Sequence, residues 1–167
     1  MKKITLSSLI IATSLLSQTF NVSTTVEFRQ ALENAAINSQ NDTIILADGT
    51  FKTTDDGLGA FIFNDNEEHN LTILSNGNTI ISGDNTSHIL HINNTSPNTL
   101  TLENLTFQEG NNAGSIVYAE QDMIFKNSSS INNIGRGVRA GKSIKIYDSN
   151  ISNNTLETST SSGIGVY

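Results

Sequence analysis

From Leu71 onward, short apolar runs alternate with corners of asparagine and glycine. The runs include Leu71-Thr72-Ile73-Leu74, Ile89-Leu90-His91-Ile92, Leu100-Thr101-Leu102, Ile116-Val117-Tyr118, Met123-Ile124-Phe125 and Ile144-Lys145-Ile146; among the corners are Asn76-Gly77-Asn78, Glu109-Gly110-Asn111-Asn112, Asn132-Asn133 and Asn153-Asn154. Such runs predict strands, and such corners predict turns. One phrase recurs, beginning at Thr99, Asp122 and Ser143. Aligning Leu102, Phe125 and Ile146 spaces the phrase by about 23 and then about 21 residues, which is the period range of a solenoid. Strands this short, separated by long intervals, pair best with their equivalents in the next coil. The expected fold class is therefore all-β: a single-stranded parallel β-helix with an N-terminal capping α-helix.

Stacking coils about 4.8 Å apart puts like residues on like. Leu102, Phe125 and Ile146 should form an inward column, with Glu103, Lys126 and Tyr147 facing out, where opposite charges adjoin. Asn104, Asn127 and Asp148 should stack at a corner, since asparagine tolerates a left-handed backbone. Near the start, Thr24 and Glu27 make a capping box, and Phe28, Ala31, Leu32, Ala35 and Ala36 recur at helical spacing. This short helix should precede the first strand and cover the open end of the stack. Residues 42–51 then suggest a strand, a turn at Asp48-Gly49 and a return.

The first residues change the picture of where the chain works. Met1-Lys2-Lys3 followed by Leu9-Ile10-Ile11-Ala12 and Leu15-Leu16 has the pattern of a secretory leader, too short to span a bilayer. The expected division is a signal peptide over 1–19, the capping helix and first strand over 20–52, and β-helix coils over 53–167. The last residues, from Ser162 to Tyr167, look like a strand still being written, so a C-terminally truncated chain is expected. The net charge is −7, and without Lys2 and Lys3 seven basic residues face sixteen acidic ones, a charge near −9. Nucleic acid is excluded as a partner, because phosphate neutralisation needs the opposite sign. With no cysteine, stability must come from stacking rather than cross-links.

Phe28-Arg29-Gln30-Ala31-Leu32 and the stretch from Asn41 to Phe51 resemble the N-terminal capping unit of the pectin-lyase-like right-handed β-helix superfamily. Gly114-Ser115-Ile116-Val117 and Gly163-Ile164-Gly165-Val166 are similar to degenerate Gly-Gly-Ala-Ile repeats. Ile151-Ser152-Asn153-Asn154 is similar to the Phe-x-x-Asn repeat of polymorphic outer-membrane proteins and autotransporter passengers. The resemblance implies an exported surface or secreted scaffold, adhesin-like and non-enzymatic, with a host-surface protein or glycan as partner. Outer-membrane association would come only through a C-terminal region beyond this chain. The alternative that it implies is a fragment of a polysaccharide lyase or glycosidase.

A lyase needs clustered carboxylates for calcium and a nearby base. The candidates Asp122, Asp148, Arg136, Arg139 and Lys145 are too scattered in sequence to suggest one. Register places Arg139 over Tyr118 and near His91 and Tyr167, so Tyr118, Arg139 and Tyr167 are the expected ligand-binding residues, as a strip able to hold sugar rings or anionic glycans. No cofactor and no metal site is expected: His69 stands apart, and residues three apart on a strand, such as His88 and His91, face opposite sides unless a corner intervenes. Glycosylation-like triplets at Asn70, Asn94, Asn104, Asn127 and Asn153 follow from composition, several of them at inner corners. The segments Asp55-Asp56-Gly57, Asn64-Asp65-Asn66 and Glu157 to Ser161 are expected to be presented as outward loops.

Overall fold

Thr24 is the N-cap of a helix. Its backbone is extended and its Oγ1 accepts from the Glu27 amide, while the Glu27 carboxylate reaches back to the Thr24 amide. The expected capping box is therefore formed, and helix α1 runs Thr25–Ala35 with Phe28, Ala31, Leu32 and Ala35 buried. In the computed structural model, which describes residues 17–65, 68–94 and 98–155, this helix does not precede the first strand. Strand β1, Ser17–Val22, comes before it and pairs in parallel with β2, Asn41–Leu46. The leader expected over 1–19 lies mostly outside the described residues, and positions 17–19 begin β1.

Among the described residues all the strand pairings are parallel, and the coils have three faces. The first face stacks β1, β2, the front half of β5 (Leu71–Ser82), the front half of β7 (Thr99–Gln108), β9 (Asp122–Lys126) and β12 (Ile144–Tyr147). The second stacks β3 (Gly49–Lys52), the rear halves of β5 and β7, β10 (Ser129–Ile131) and β13 (Asn150–Ser152). Because β5 and β7 round the corner unbroken, these two faces make one nine-stranded sheet. The third face is a four-stranded sheet of β4 (Phe61–Asp65), β6 (Leu90–Asn94), β8 (Asn111–Ala119) and β11 (Ile134–Ala140). The fold is a parallel β-helix with an N-terminal helix.

Like does stack on like. Leu102 pairs with Phe125, and Phe125 with Ile146. Ile146 is nonetheless 36% exposed, since no described strand lies beyond β12 to complete its surroundings. In the outward row Lys126 Nζ sits 2.6 Å from Glu103 Oε1. Asn104, Asn127 and Asp148 all take the left-handed backbone, as do Glu109, Asn132 and Asn153 at the next corner. On the first face equivalent positions are 24 residues apart between β1 and β2, then 29, 23 and 21.

Inside, one hydrophobic cluster runs from Val22 to Ala140, joined by a ladder of amides. Asn133 accepts from the Gly110 amide at 2.7 Å, and its Nδ2 donates to Asn154 Oδ1 at 2.8 Å and to the Phe107 carbonyl at 3.3 Å. Where the first face begins, each polar side chain takes an amide from the next coil: Asn41 from Asn70, Asn70 from Thr99, and Asp122 from Ser143.

Two expectations are corrected. Asp48-Gly49 makes no return: β2 and β3 both run parallel to β5, so the pair is a corner between two faces. Asn64 and Asp65 are strand rather than loop, with Asp65 buried and in register with Asn94; Asn66 lies outside the described residues, as do Glu157 to Ser161. The Asp55-Asp56-Gly57 segment is an outward turn as expected, with Asp55 and Gly57 exposed, and it is tied to α1, since Asp55 accepts from Thr25 Oγ1 and Asp56 pairs with Arg29. Arg29 also donates to the Ala60 carbonyl at 2.7 Å and to that of Gly59, and lies 4.6 Å from the Phe61 ring centroid, so the cap and the first coils are one packed unit.

Candidate functional site

The third face departs from strict alternation. Ile89 and Leu90 are both buried, as are Ile116 and Val117, and Gly137 and Val138. Two adjacent inward residues shift the phase of the strand residues after them. Side chains three apart along the chain therefore reach one outer surface. His88, ahead of β6, and His91, within it, have ring centroids 5.7 Å apart. The expectation that they face opposite sides is thus corrected: a corner at His88-Ile89 stands between them.

Pairing between coils assembles the rest. His91 is in register with Tyr118, and Tyr118 with Arg139. The His91 and Tyr118 rings lie 5.0 Å apart, tilted by 55°, and the Arg139 guanidinium carbon is 5.1 Å from the Tyr118 centroid. That separation is within cation–π range. His88, His91, Asn112, Ser115, Tyr118 and Arg139 line a hollow of about 260 Å³. No carboxylate is among them, in a chain whose net charge is −7.

The polar atoms are ordered from behind. The Gly114 amide donates to Asn112 Oδ1 at 2.6 Å, which fixes the amide group, and Asn112 Nδ2 is 3.2 Å from His88 Nδ1. His88 Nε2 and His91 Nε2 are both buried with no hydrogen-bond partner. Burial pushes the His88 pKa below its ordinary value, and the neighbouring His91 adds to this. Burial also lowers that of His91, against an opposing pull from Glu120. Both rings are therefore neutral at neutral pH.

Of the expected ligand-binding residues, Tyr118 and Arg139 are brought together, whereas Tyr167 lies outside the described residues. The lyase candidates are spread over two sheets. Asp122, Lys145 and Asp148 belong to the strands and corners of the nine-stranded sheet, while Arg136 and Arg139 are on β11. Asp122 accepts from the Ser143 amide and hydroxyl at 3.1 and 2.7 Å, and these bonds hold its pKa down. Among the described residues no group of three histidine or acidic side chains could hold a metal ion. Asn70, Asn104, Asn127 and Asn153 are exposed rather than at inner corners; only Asn94 of that set is buried. A groove of about 630 Å³ runs along the corner of the first two faces past Asn76, Asn78, Asn104 and Asn127. Its lining has neither a titratable group nor a ring.

Sequence reasoning missed His88, Asn112 and Ser115 because it assumed a strict two-residue period. Apolar pairs flanked by polar residues, Ile89-Leu90 and Ile116-Val117, are the signal that could have found them.

Comparison with known proteins finds no match among curated proteins or solved structures. A family model described as "Putative pectate lyase-like adhesive domain" matches residues 19–139, from β1 through most of β11. It therefore covers both the capping unit and the strands that carry Tyr118 and Arg139. The parallel three-faced coils agree with that match, and the chain belongs to the pectate lyase-like adhesive domain family.

Proposed function

We propose that this chain is an exported, adhesin-like scaffold that holds a host-surface or other surface ligand on its third face without transforming it. The observation that carries this reading is the stacked trio of His91, Tyr118 and Arg139, borne on adjacent strands of a rigid sheet. A ring with a guanidinium over it offers contact area and hydrogen-bond donors at low entropic cost. The family description as adhesive supports the reading, and the leader-like N-terminal pattern supports export. Binding without chemistry is favoured because Arg136 and Arg139 stand on a different sheet from Asp122 and Asp148, and because Asp122 is engaged in holding Ser143.

The test is binding of the purified chain to cells and to immobilised surface glycans and proteins. Tyr118→Ala with Arg139→Ala should weaken binding about tenfold or more. Unchanged binding by the double variant, with thermal unfolding also unchanged, would sink the proposal. Release of unsaturated products from polyuronates would favour the lyase alternative.

A further inference from the structure

We infer that the hollow between His88 and Arg139 is a donor-lined site for an acidic sugar, whose carboxylate or sulfate oxygens take the hydrogen bonds that the protein leaves open. This deepens, and rests on, the reading of the third face as a ligand-binding surface. The argument begins with a proton. The Gly114 amide can only donate, so the Asn112 atom that it reaches at 2.6 Å is the carbonyl oxygen. Asn112 therefore turns its NH₂ toward His88 Nδ1 at 3.2 Å. An amide NH₂ has no lone pair to offer, which makes Nδ1 the acceptor and places the proton of the neutral ring on Nε2.

His88 Nε2–H is thus a buried donor without a partner. Such a group costs free energy unless something supplies an acceptor. Beside it in the lining is Arg139, which has donors and no acceptor. One fixed donor and a cation, with no carboxylate in the lining, select a ligand rich in acceptor oxygens and negatively charged.

The rest of the lining favours a sugar over an acidic peptide. His91 and Tyr118 present tilted rings 5.0 Å apart, a surface suited to the C–H face of a pyranose. The Ser115 hydroxyl and the Asn112 amide can serve ring hydroxyls. The volume of about 260 Å³ suits one sugar residue rather than a folded partner. The negative charge of the remainder of the chain repels polyanions elsewhere, which confines binding to this patch.

Titration calorimetry on the full chain should use four probes: an oligosaccharide bearing a hexuronic or sialic acid, a sulfated oligosaccharide, their neutral homologue, and a glutamate-rich peptide. The carboxylated or the sulfated sugar should bind at least about tenfold more tightly than the neutral one, the better of the two identifying the anion. Arg139→Ala and His88→Phe should each cost about tenfold, the size expected for losing a hydrogen bond to a charged group. His88→Gln, which keeps a donor, should restore part of that loss. Melting curves exclude unfolding, and Tyr118→Phe keeps the ring as a second probe of the platform. Equal affinity for neutral and acidic sugars, peptide binding as tight as sugar binding, or full affinity in His88→Phe would each overturn the inference. If the chain adheres to cells and loses adhesion on Tyr118→Ala with Arg139→Ala, yet binds none of the sugars, the acidic-sugar site is wrong and the adhesive reading survives.

Discussion

Asn133 and Asn154 face each other inside adjacent coils, Nδ2 to Oδ1 at 2.8 Å, with both side chains almost wholly removed from water. The same Asn133 amide group also holds the Gly110 amide at 2.7 Å and reaches the Phe107 carbonyl and the Ser130 hydroxyl at 3.3 Å. One side chain thereby satisfies polar groups on three windings.

Asn133→Ala should therefore destabilise the fold by about 2–4 kcal/mol, since it leaves buried partners unsatisfied rather than merely removing a bond. Urea unfolding should show a lower midpoint. A change under about 0.5 kcal/mol would mean that water replaces the amide at no cost.

Arg29 links α1 to the first coils through Asp56, the Gly59 and Ala60 carbonyls and the Phe61 ring. Arg29→Met keeps the stem but strands a largely buried carboxylate, and should cost about 3 kcal/mol. Hydrogen exchange should quicken first in residues 53–60. By contrast, Lys126→Ala removes a partly exposed pair with Glu103 and should change stability by less than about 1 kcal/mol.

Asn127 sits at φ 48°. Asn127→Val forces a β-branched residue into the left-handed region and should cost about 1–2 kcal/mol, whereas Asn127→Gly should be close to neutral. Chemical denaturation of the two variants separates backbone strain from loss of the side chain.

Stability should fall with acid in two steps. His88 and His91 are held below the ordinary imidazole value of 6.5 by burial, with His91 adding to the effect on His88 and Glu120 opposing it at His91; Tyr118 and Arg139 complete their surroundings. Below about 6.5 the unfolded chain binds more protons than the native one, so stability declines as pH drops. The second step begins below the ordinary aspartate value of 3.8. Hydrogen bonds from Ser143 hold Asp122 down, and those from Lys52 and Thr54 hold Asp84 down. At Asp56 burial is the largest single influence and pushes upward, and the Arg29 bond, the Leu58 amide and the Arg29 charge together bring the value down. The stabilisation from all three aspartates is present above 3.8 and lost as pH falls through the depressed native values. Melting temperatures from pH 8 to pH 3 should show both limbs, and His88→Gln with His91→Gln should flatten the first.

The coil register was legible because parallel stacking repeats an environment, so Leu102, Phe125 and Ile146 had to resemble one another. The left-handed corners at Asn104, Asn127 and Asp148 were legible for the same reason. Asp48-Gly49 was misread because turn residues announce a change of direction without saying which strand comes next. Half of the candidate site was visible: Arg139 over Tyr118 follows from register alone. His88 was not, because its placement depends on Ile89 and Leu90 both turning inward.

Local rules thus settled that this chain forms short strands, left-handed asparagine corners and a capped helix, since backbone sterics and hydrogen-bonding capacity act within a few residues. Only the tertiary structure decided which side chains share a surface. Interior volume sets how many consecutive residues each corner can bury, and that choice brings His88, Asn112, Tyr118 and Arg139 around one hollow.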